Sequence, residues 1–266
     1  MRRLVLVLGS AWGACAVFPE HDTTVPCWAA HEARAGDLAS PCYCTPGSPS
    51  LRHAERDFLT PSQVNFLLGV AEKGMKAVSP SINGPTIMDP DLGLVLGPGA
   101  KQIALEDGLF TEDDIAQYTA IMQKTHEIVA KIHGIAPELI FHTAPTFIAR
   151  LSGRGKPGQA LHVHDEYFHL HADKNNTEHY DLSALVYLSD YGADFEGGVF
   201  EFHDPNDMIT PLYPQRGMFI TFRSGPENAH RVTRVTKGVR FAFSTWWTCD
   251  KTKRLKKSKL KMKTEL

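Results

Sequence analysis

Two stretches with helical periodicity precede a series of short apolar segments, and this order sets the expected architecture. A helix is predicted to begin at Thr60, a good N-cap, with Pro61 at its first helical position, and to run to about Ala77. A second helix is predicted to start at Thr111 and to stop at Gly134. Its apolar residues recur at helical spacing and predict a face packed against a sheet: Ile115, Tyr118, Ile121, Met122, Ile128, Val129 and Ile132.

From Phe141 onward the pattern changes to short apolar segments separated by Gly, Pro, Asn and Asp. Eight short strands suit a double-stranded β-helix, or jelly roll, whose two sheets bring distant residues around one cavity. Because helices precede this sheet, the expected fold class is α+β, with a jelly-roll core supported by N-terminal helices. The predicted strands are Thr146–Leu151, Leu161–Val163, Phe168–Ala172, Leu182–Leu188, Gly198–Phe202, Met218–Phe222, Ala229–Val232 and Val239–Thr245.

Two other stretches show no clear period. Residues 17–55 are rich in Cys, Pro and Ser, and they are predicted to form an irregular lead-in clamped by disulfides. Residues 79–108 are rich in Gly and Pro, and they are predicted to form a long loop over the cavity. Neither stretch is expected to be a domain of its own.

The segment His171-Ala172-Asp173, followed by His230 and Arg240, carries the candidate chemistry. Two imidazoles and one carboxylate on one face of a metal are the ligands of non-haem Fe(II) oxygenases, which leave three positions open. Residues two apart in a strand point to the same side, so the first His and the Asp can reach one ion. An Arg on a later apolar strand can bind a dicarboxylate through its two-pronged guanidinium. The sequence therefore predicts an iron- and 2-oxoglutarate-dependent hydroxylase.

Other histidines offer competing ligand sets, because the chain has 13 of them. His179-Tyr180-Asp181 has the same spacing, but it directly adjoins an apolar run that reads as a buried strand. His162-Val163-His164 resembles a cupin-like pair, but the nearest carboxylate, Glu166, is badly spaced for that role. Only the segment at 171–173 is followed by a turn-rich connection, residues 174–178, so it ranks first.

From about Arg56 to Cys249 the chain resembles the prolyl 4-hydroxylase type of Fe(II)/2-oxoglutarate oxygenase domain. The matching pieces occur in the family's order, and the stretch from His169 to Tyr191 also resembles one particular member of the family. The pieces are Asp57-Phe58-Leu59-Thr60-Pro61-Ser62-Gln63, His171-x-Asp173, Leu185-Val186-Tyr187-Leu188-Ser189, Glu196-Gly197-Gly198-x-Phe200 and His230.

The resemblance implies a role for each matching residue. His171, Asp173 and His230 would be the iron ligands, and Arg240 would bind the distal carboxylate of 2-oxoglutarate. Tyr187 matches a tyrosine that helps to hold the same carboxylate. A core tyrosine with a hydrogen-bonded hydroxyl is an equally good interpretation. Collagen-type prolyl 4-hydroxylases usually carry Lys where Arg240 stands, so collagen specificity does not follow.

Substrate contacts are less sharply indicated. Trp246 matches an aromatic residue of prolyl hydroxylases, and a core or rim Trp is the alternative. Tyr191 falls in a connection near the expected cavity mouth. Arg150 could meet a substrate backbone or could have an ordinary surface role. All three are retained as candidate substrate-binding residues.

The implied reaction is hydroxylation of a protein side chain, prolyl in the first instance, with release of succinate and CO₂. The implied cofactors are Fe(II), 2-oxoglutarate and L-ascorbate, with O₂ and a protein or peptide substrate as partners. Lysyl or other side-chain hydroxylation by the same chemistry is one alternative. A non-catalytic jelly-roll binding protein of the endoplasmic reticulum (ER) is another.

Composition and charge limit the number of domains and the classes of substrate that the chain can have. The chain has 266 residues, 42% of them hydrophobic, which is enough for one good core. The net charge is −2, but residues 251–266 alone carry +7, which leaves −9 on the rest and argues against nucleic acid as substrate. The expected division is a signal peptide at 1–16, the lead-in at 17–55, the oxygenase domain at 56–250 and a basic tail at 251–266.

Both ends of the sequence carry patterns typical of sorting signals. Arg2-Arg3, an apolar run and Ala14-Cys15-Ala16 resemble a cleavable signal peptide, with an uncleaved anchor as the alternative; no span is expected in the mature chain. The last four residues, 263–266, resemble an ER retrieval signal read by a receptor. After cleavage four cysteines would remain, enough for two disulfides, and Asn175-Asn176-Thr177 is a glycosylation sequon. The expected location is the ER lumen.

Overall fold

The computed structural model describes residues 22–27, 40–45, 47–76, 78, 85–97, 101–153, 169–204 and 207–256. Several predictions from the sequence lie outside these residues. They are the signal peptide, the retrieval-like end, the strand Leu161–Val163 and the His162/His164 pair.

Two long helices form where the capping residues predict them. Helix α1 spans Pro61–Met75 and helix α2 spans Glu112–His133. Each begins with a capping box, in which the hydroxyl of Thr60 or Thr111 accepts a hydrogen bond from the backbone three residues on. Helix α2 ends at Gly134 in the left-handed conformation, at φ 65°. Both predicted helices are confirmed.

The strands form one large and one small antiparallel sheet. The strands are β1 Thr23–Pro26, β2 Pro49–Glu55, β3 Pro85–Asp89, β4 Leu94–Leu96, β5 Gln102–Ala104, β6 Phe141–Ser152, β7 Leu182–Tyr187, β8 Phe195–Gly197, β9 Phe200–Asp204, β10 Met208–Leu212, β11 Phe219–Arg223, β12 His230–Val232 and β13 Val235–Thr248. The large sheet has the order β1-β2-β11-β7-β13-β6-β3-β4-β5, with β8 paired to β13, and the small sheet has the order β10-β9-β12.

The large sheet separates two apolar clusters, because side chains alternate between its faces. One cluster joins the helices to Leu182, Ala184 and Val186 of β7. The other joins Tyr187, on the opposite face of the same strand, to the phenylalanines of the small sheet. The molecule is therefore an antiparallel double-sheet core with helices on one side, which confirms the α+β jelly-roll prediction.

Three element predictions were wrong in the described residues. The stretch 79–108 holds strands β3, β4 and β5 rather than a continuous loop, since β3 extends the sheet beyond β6. The lead-in at 17–55 contains β1 and β2, and β2 pairs with β11. The described part of the predicted strand Phe168–Ala172 makes only an isolated bridge between His171 and His230.

Two disulfides form, as the four cysteines predict. Cys27 pairs with Cys44 and Cys42 pairs with Cys249, with Cα–Cα distances of 5.8 and 5.9 Å. The second bond joins the lead-in to the residue that follows β13. No described helix is long and apolar enough to span a membrane.

Candidate metal centre

Three side chains that the sequence singled out lie together at one end of the small sheet. His171 and His230 face each other across an antiparallel bridge, with backbone N–H to O distances of 3.0 and 2.8 Å. Asp173 begins the short helix α3, Asp173–Asn176. Its Oδ1 lies 3.6 Å from Nε2 of His171 and 3.8 Å from Nε2 of His230. One ligand atom of each residue lies within 4.8 Å of the other two, which fits a single metal ion.

Backbone carbonyls fix the orientation of both imidazoles. Nδ1 of His171 lies 2.8 Å from the carbonyl oxygen of His169, and Nδ1 of His230 lies 2.9 Å from that of Asn228. Because a carbonyl oxygen only accepts, each Nδ1 carries the proton. The lone pair of a neutral ring is then on Nε2, the atom that faces Asp173. Hydrogen bonds from the far nitrogen commonly hold metal-binding histidines in this way.

Asp173 is held at one oxygen and open at the other. Its Oδ2 accepts hydrogen bonds from the Ser183 hydroxyl at 2.6 Å and the Trp246 indole N–H at 3.0 Å. Its Oδ1 faces the two imidazoles. Burial raises the pKa of Asp173, but the adjacent His230 and His171 imidazoles and the hydrogen bonds from Ser183 and Trp246 outweigh it and hold the pKa well below its usual range. The carboxylate is therefore ionised and presents one oxygen to a metal.

The two imidazoles differ in electrostatic environment. Burial lowers the pKa of His230 to about 4, so this ring is neutral at pH 7. Burial also lowers the pKa of His171, but a hydrogen bond and the negative charge from Asp173 and the carbonyl of His169 raise it overall. A neutral imidazole is the form that binds a metal.

The three side chains open into a cavity of about 590 Å³ between the two sheets. On β6 and β13 the lining residues are every second residue, because alternate side chains of a strand point to one face. The described lining residues are Phe147, Ala149, Leu151, His169, His171, Asp173, Asn176, Thr177, Tyr180, Leu185, Phe200, His230, Val232, Arg240, Ala242, Ser244 and Trp246.

Arg240 lines the cavity and contacts Tyr187, which is not among the described lining residues. Arg240 is 2% exposed and its guanidinium carbon lies 5.3 Å from the centre of the Tyr187 ring. Burial raises the pKa of Tyr187 although the neighbouring guanidinium opposes that rise, so the phenol stays protonated. Gly198 packs beneath Arg240: a Cβ there would lie 2.9 Å from Arg240 Cδ. A buried guanidinium that lines a cavity is suited to bind a carboxylate.

The three candidate substrate contacts lie in different places. Trp246 lines the cavity, stacked on Tyr180 with ring centres 5.0 Å apart, but its indole N–H is already bonded to Asp173. Arg150 lies on the opposite face of β6 from the lining residues and donates to the Thr86 hydroxyl at 3.3 Å. Tyr191 packs edge-on against Tyr213 and is not among the described lining residues.

The competing His179-Tyr180-Asp181 set does not converge on a metal position. Asp181 accepts hydrogen bonds from Lys174 at 2.6 Å and from the backbone N–H of Cys249 at 2.7 Å. Asp181 therefore ties helix α3 to the residue that follows β13.

Sequence reasoning missed the residues that hold the ligands. Ser183 and Asn228 have no ligand chemistry of their own, and they act on Asp173 and His230 through single hydrogen bonds. Ser183 is a buried polar residue in the otherwise apolar strand β7. A buried hydroxyl needs a hydrogen-bond partner, and this was the available signal in the sequence.

Comparisons with known proteins identify the class. Residues 148–248 match the model of the 2OG-Fe(II) oxygenase superfamily. A solved oxidoreductase of the 2OG-Fe(II) oxygenase family from Burkholderia pseudomallei has a TM-score of 0.52 and 11% identity, covering 78% of this chain and 88% of its own. At that identity the likeness shows the fold alone. The chain contains a 2OG-Fe(II) oxygenase domain.

Relatives with higher sequence identity show which members of the superfamily this chain resembles. The 2-oxoglutarate and iron-dependent oxygenase domain-containing protein 3 of Mus musculus is 34% identical over 199 residues, 72% of this chain and 61% of the relative. The chain thus spans about three fifths of that relative's length. The particular family member that the stretch from His169 to Tyr191 resembles is this relative, and the similarity is confirmed. Prolyl 3-hydroxylase 2 of Homo sapiens is 46% identical over 72 residues, 26% of this chain and 10% of the relative.

Proposed function

We propose that the protein is an Fe(II)- and 2-oxoglutarate-dependent dioxygenase that hydroxylates a protein side chain, with a prolyl residue as substrate. The observation that carries the proposal is the convergence of His171, Asp173 and His230 in the same cavity as the buried Arg240. These are the ligand set and the carboxylate partner that this chemistry requires.

Each residue has a defined task in this proposal. Nε2 of His171, Nε2 of His230 and Oδ1 of Asp173 would bind Fe(II), and Arg240 would bind the distal carboxylate of 2-oxoglutarate beside the protonated Tyr187. When bound, the metal and the diacid activate O₂, with succinate and CO₂ as by-products. The protein itself positions the reactants and excludes water, since Phe147, Leu185, Phe200 and Val232 wall the cavity.

The cavity favours a prolyl over a lysyl substrate. A lysyl ammonium would require a carboxylate partner, and Asp173 is the sole carboxylate among the described lining residues. The aromatic wall of Phe147, Tyr180 and Trp246 is suited to an uncharged ring. The local similarity to prolyl 3-hydroxylase 2 supports the same choice.

The setting of the reaction is part of the proposal. We place it in the ER lumen, with L-ascorbate as the reductant that maintains Fe(II) and a retrieval receptor as a partner. The two disulfides support this location, because such bonds persist in oxidising compartments.

The deciding experiment is an incubation with Fe(II), 2-oxoglutarate and a library of Pro- and Lys-containing peptides. We expect succinate release coupled to the gain of one oxygen on prolyl residues, and its loss in His171→Ala and Asp173→Ala. Oxygen gain on lysyl residues would replace the substrate assignment. Protein that binds no Fe(II) and releases no succinate, with or without peptides, would be a binding module instead.

A further inference from the structure

A buried polar network adjoins His230, and its residues are not among the described lining residues of the cavity. At its centre is Arg52 of β2, which is 2% exposed. Its Nε donates to the side-chain oxygen of Asn228 at 2.6 Å and its Nη2 to the carbonyl oxygen of Glu227 at 3.0 Å. The same Nη2 pairs with a carboxylate oxygen of Asp204 at 2.7 Å. One guanidinium thus binds the short 3-10 helix Pro226–Asn228 and the end of β9.

This network reaches His230 through the backbone of Asn228. The carbonyl oxygen of Asn228 is the acceptor that fixes Nδ1 of His230, at 2.9 Å. The Asn228 side chain is clamped from three sides, since it accepts from Arg52 and donates to the Ser50 hydroxyl at 3.2 Å and to the carbonyl oxygen of Arg223 at 2.9 Å. The position of that carbonyl, and with it the plane of the His230 ring, therefore depends on the clamp.

A second route from Arg52 to His230 passes through aromatic side chains. The guanidinium carbon of Arg52 lies 4.0 Å from the centre of the Phe202 ring. The Phe202 ring meets the His230 ring edge-on at 6.3 Å, and Phe200 stacks on His230 at 5.0 Å with an angle of 19°. Arg52 thereby restrains both the hydrogen-bonded edge of the imidazole and one of its packing neighbours.

We propose that Arg52 is a positioning residue for the metal centre, acting on His230 through Asn228 and Phe202. Arg52 lies outside the 148–248 stretch that matches the family, so the metal site extends into the lead-in. The inference rests on the proposed role of His230 as a metal ligand. Outer partners of a ligating histidine set how well its ring is aimed at the metal.

The test measures the Kd for Co(II) by competition with a chromophoric chelator, without substrate or turnover. We expect Arg52→Met to raise this Kd about 10- to 100-fold at a temperature where the variant is folded. Arg52→Lys keeps a positive charge beside Asp204 but lacks the guanidinium fork, so it should also raise the Kd. Asn228→Ala should weaken binding similarly, and its effect should not add to that of Arg52→Met.

The matched control is Arg223→Met on the neighbouring strand β11. Arg223 is a half-buried arginine near the same helix whose guanidinium donates to the carbonyl oxygen of Cys42. The substitution leaves in place its backbone carbonyl, which is the group that accepts from Asn228. This variant should lose stability without a change in the Kd for Co(II). If Arg52→Met does not fold, Arg52→Lys and Asn228→Ala decide the outcome.

The outcomes separate this inference from the proposed function. If wild-type protein does not bind Co(II), the proposed metal centre itself is wrong. If wild-type protein binds and the folded Arg52 and Asn228 variants bind with the same Kd, only the role of Arg52 is overturned. A rise in Kd of equal size in Arg223→Met would show a general loss of stability rather than positioning.

Discussion

At the residue scale, two neutral donors determine which oxygen of Asp173, a proposed metal ligand, stays available. Ser183 and Trp246 both bind Oδ2, and Oδ1 is left to face the two imidazoles. The carboxylate is therefore arranged to bind a metal through one oxygen. Trp246, which the resemblance suggested as a substrate contact, is one of the two donors.

Replacing Trp246 by Phe tests that role. The ring and its stacking on Tyr180 are retained while the N–H donor is lost, so we expect the Kd for Co(II) to rise about 10-fold. Trp247→Phe is the control, because the neighbouring indole points to the opposite face of β13 and donates to His126 at 3.1 Å. Equal metal affinity in both variants would remove Trp246 from the metal centre.

Arg240→Ala tests the carboxylate site. Loss of a buried charged donor should raise the KM for 2-oxoglutarate about 10- to 100-fold, while the Kd for Co(II) changes little. Arg150→Ala, on the adjoining strand but the opposite face, should leave both values unchanged. An unchanged KM in Arg240→Ala would mean that another residue binds the diacid.

At the element scale, the elements with strong local signals were predictable and those that depend on their neighbours were not. Capping boxes at Thr60 and Thr111 determine where both helices begin. Strand β2 was not predicted because its buried residues are Ser50, Arg52 and Ala54. Two of the three are polar, so the sequence does not show the alternation of apolar and polar residues that is typical of a strand. Strands β4 and β5 have three residues each, too few for any period to show.

The turn between β8 and β9 can be tested by comparing two glycines with positive φ. Gly198 has φ 60° and no room for a Cβ beside Arg240, whereas Gly192 has φ 83° and no heavy atom within 4 Å of an added Cβ. Gly192→Ala should reduce the free energy of unfolding by about 1–2 kcal/mol through backbone strain alone. Gly198→Ala should reduce it by more, because its Cβ would also crowd three side-chain atoms at 2.9 Å. Only Gly198→Ala should also raise the KM for 2-oxoglutarate. The same KM in both variants would contradict the contact with Arg240.

At the scale of the whole molecule, the convergence of His171, Asp173 and His230 was predictable from the sequence, but the scaffold that brings them together was not. A His-x-Asp, a distal His and an Arg form a recognisable chemical pattern. Their partners are common residue types: Ser183 lies only ten residues after Asp173, and Arg52 lies on a strand remote in sequence from His230. Their roles exist only once the two sheets enclose the cavity, and no local pattern encodes that.

Stability should depend on pH through Asp89, a carboxyl buried where β3 meets β6. Burial, with the nearby charge of Asp91 adding to it, raises the pKa of Asp89 to about 7. The folded state therefore keeps a proton that the unfolded state releases near pH 4, and this contribution to stability is lost as pH rises from about 4 to about 7.

Urea denaturation between pH 5 and pH 8 measures the effect against Asp89→Asn, which cannot titrate. The free energy of unfolding of the wild type should fall relative to the variant by a few kcal/mol, on the order of 1.4 per unit of pKa shift. Parallel curves for the two proteins would show that Asp89 is ionised in the folded state.

The bond between Cys42 and Cys249 closes a covalent ring across a separation of 207 residues. Every strand that lines the cavity lies inside that ring. A single proteolytic cut in any connecting loop would leave both fragments joined, and the nicked molecule would migrate as one species until a reducing agent was added. Damage to the surface of this protein therefore need not release the part that carries Arg240.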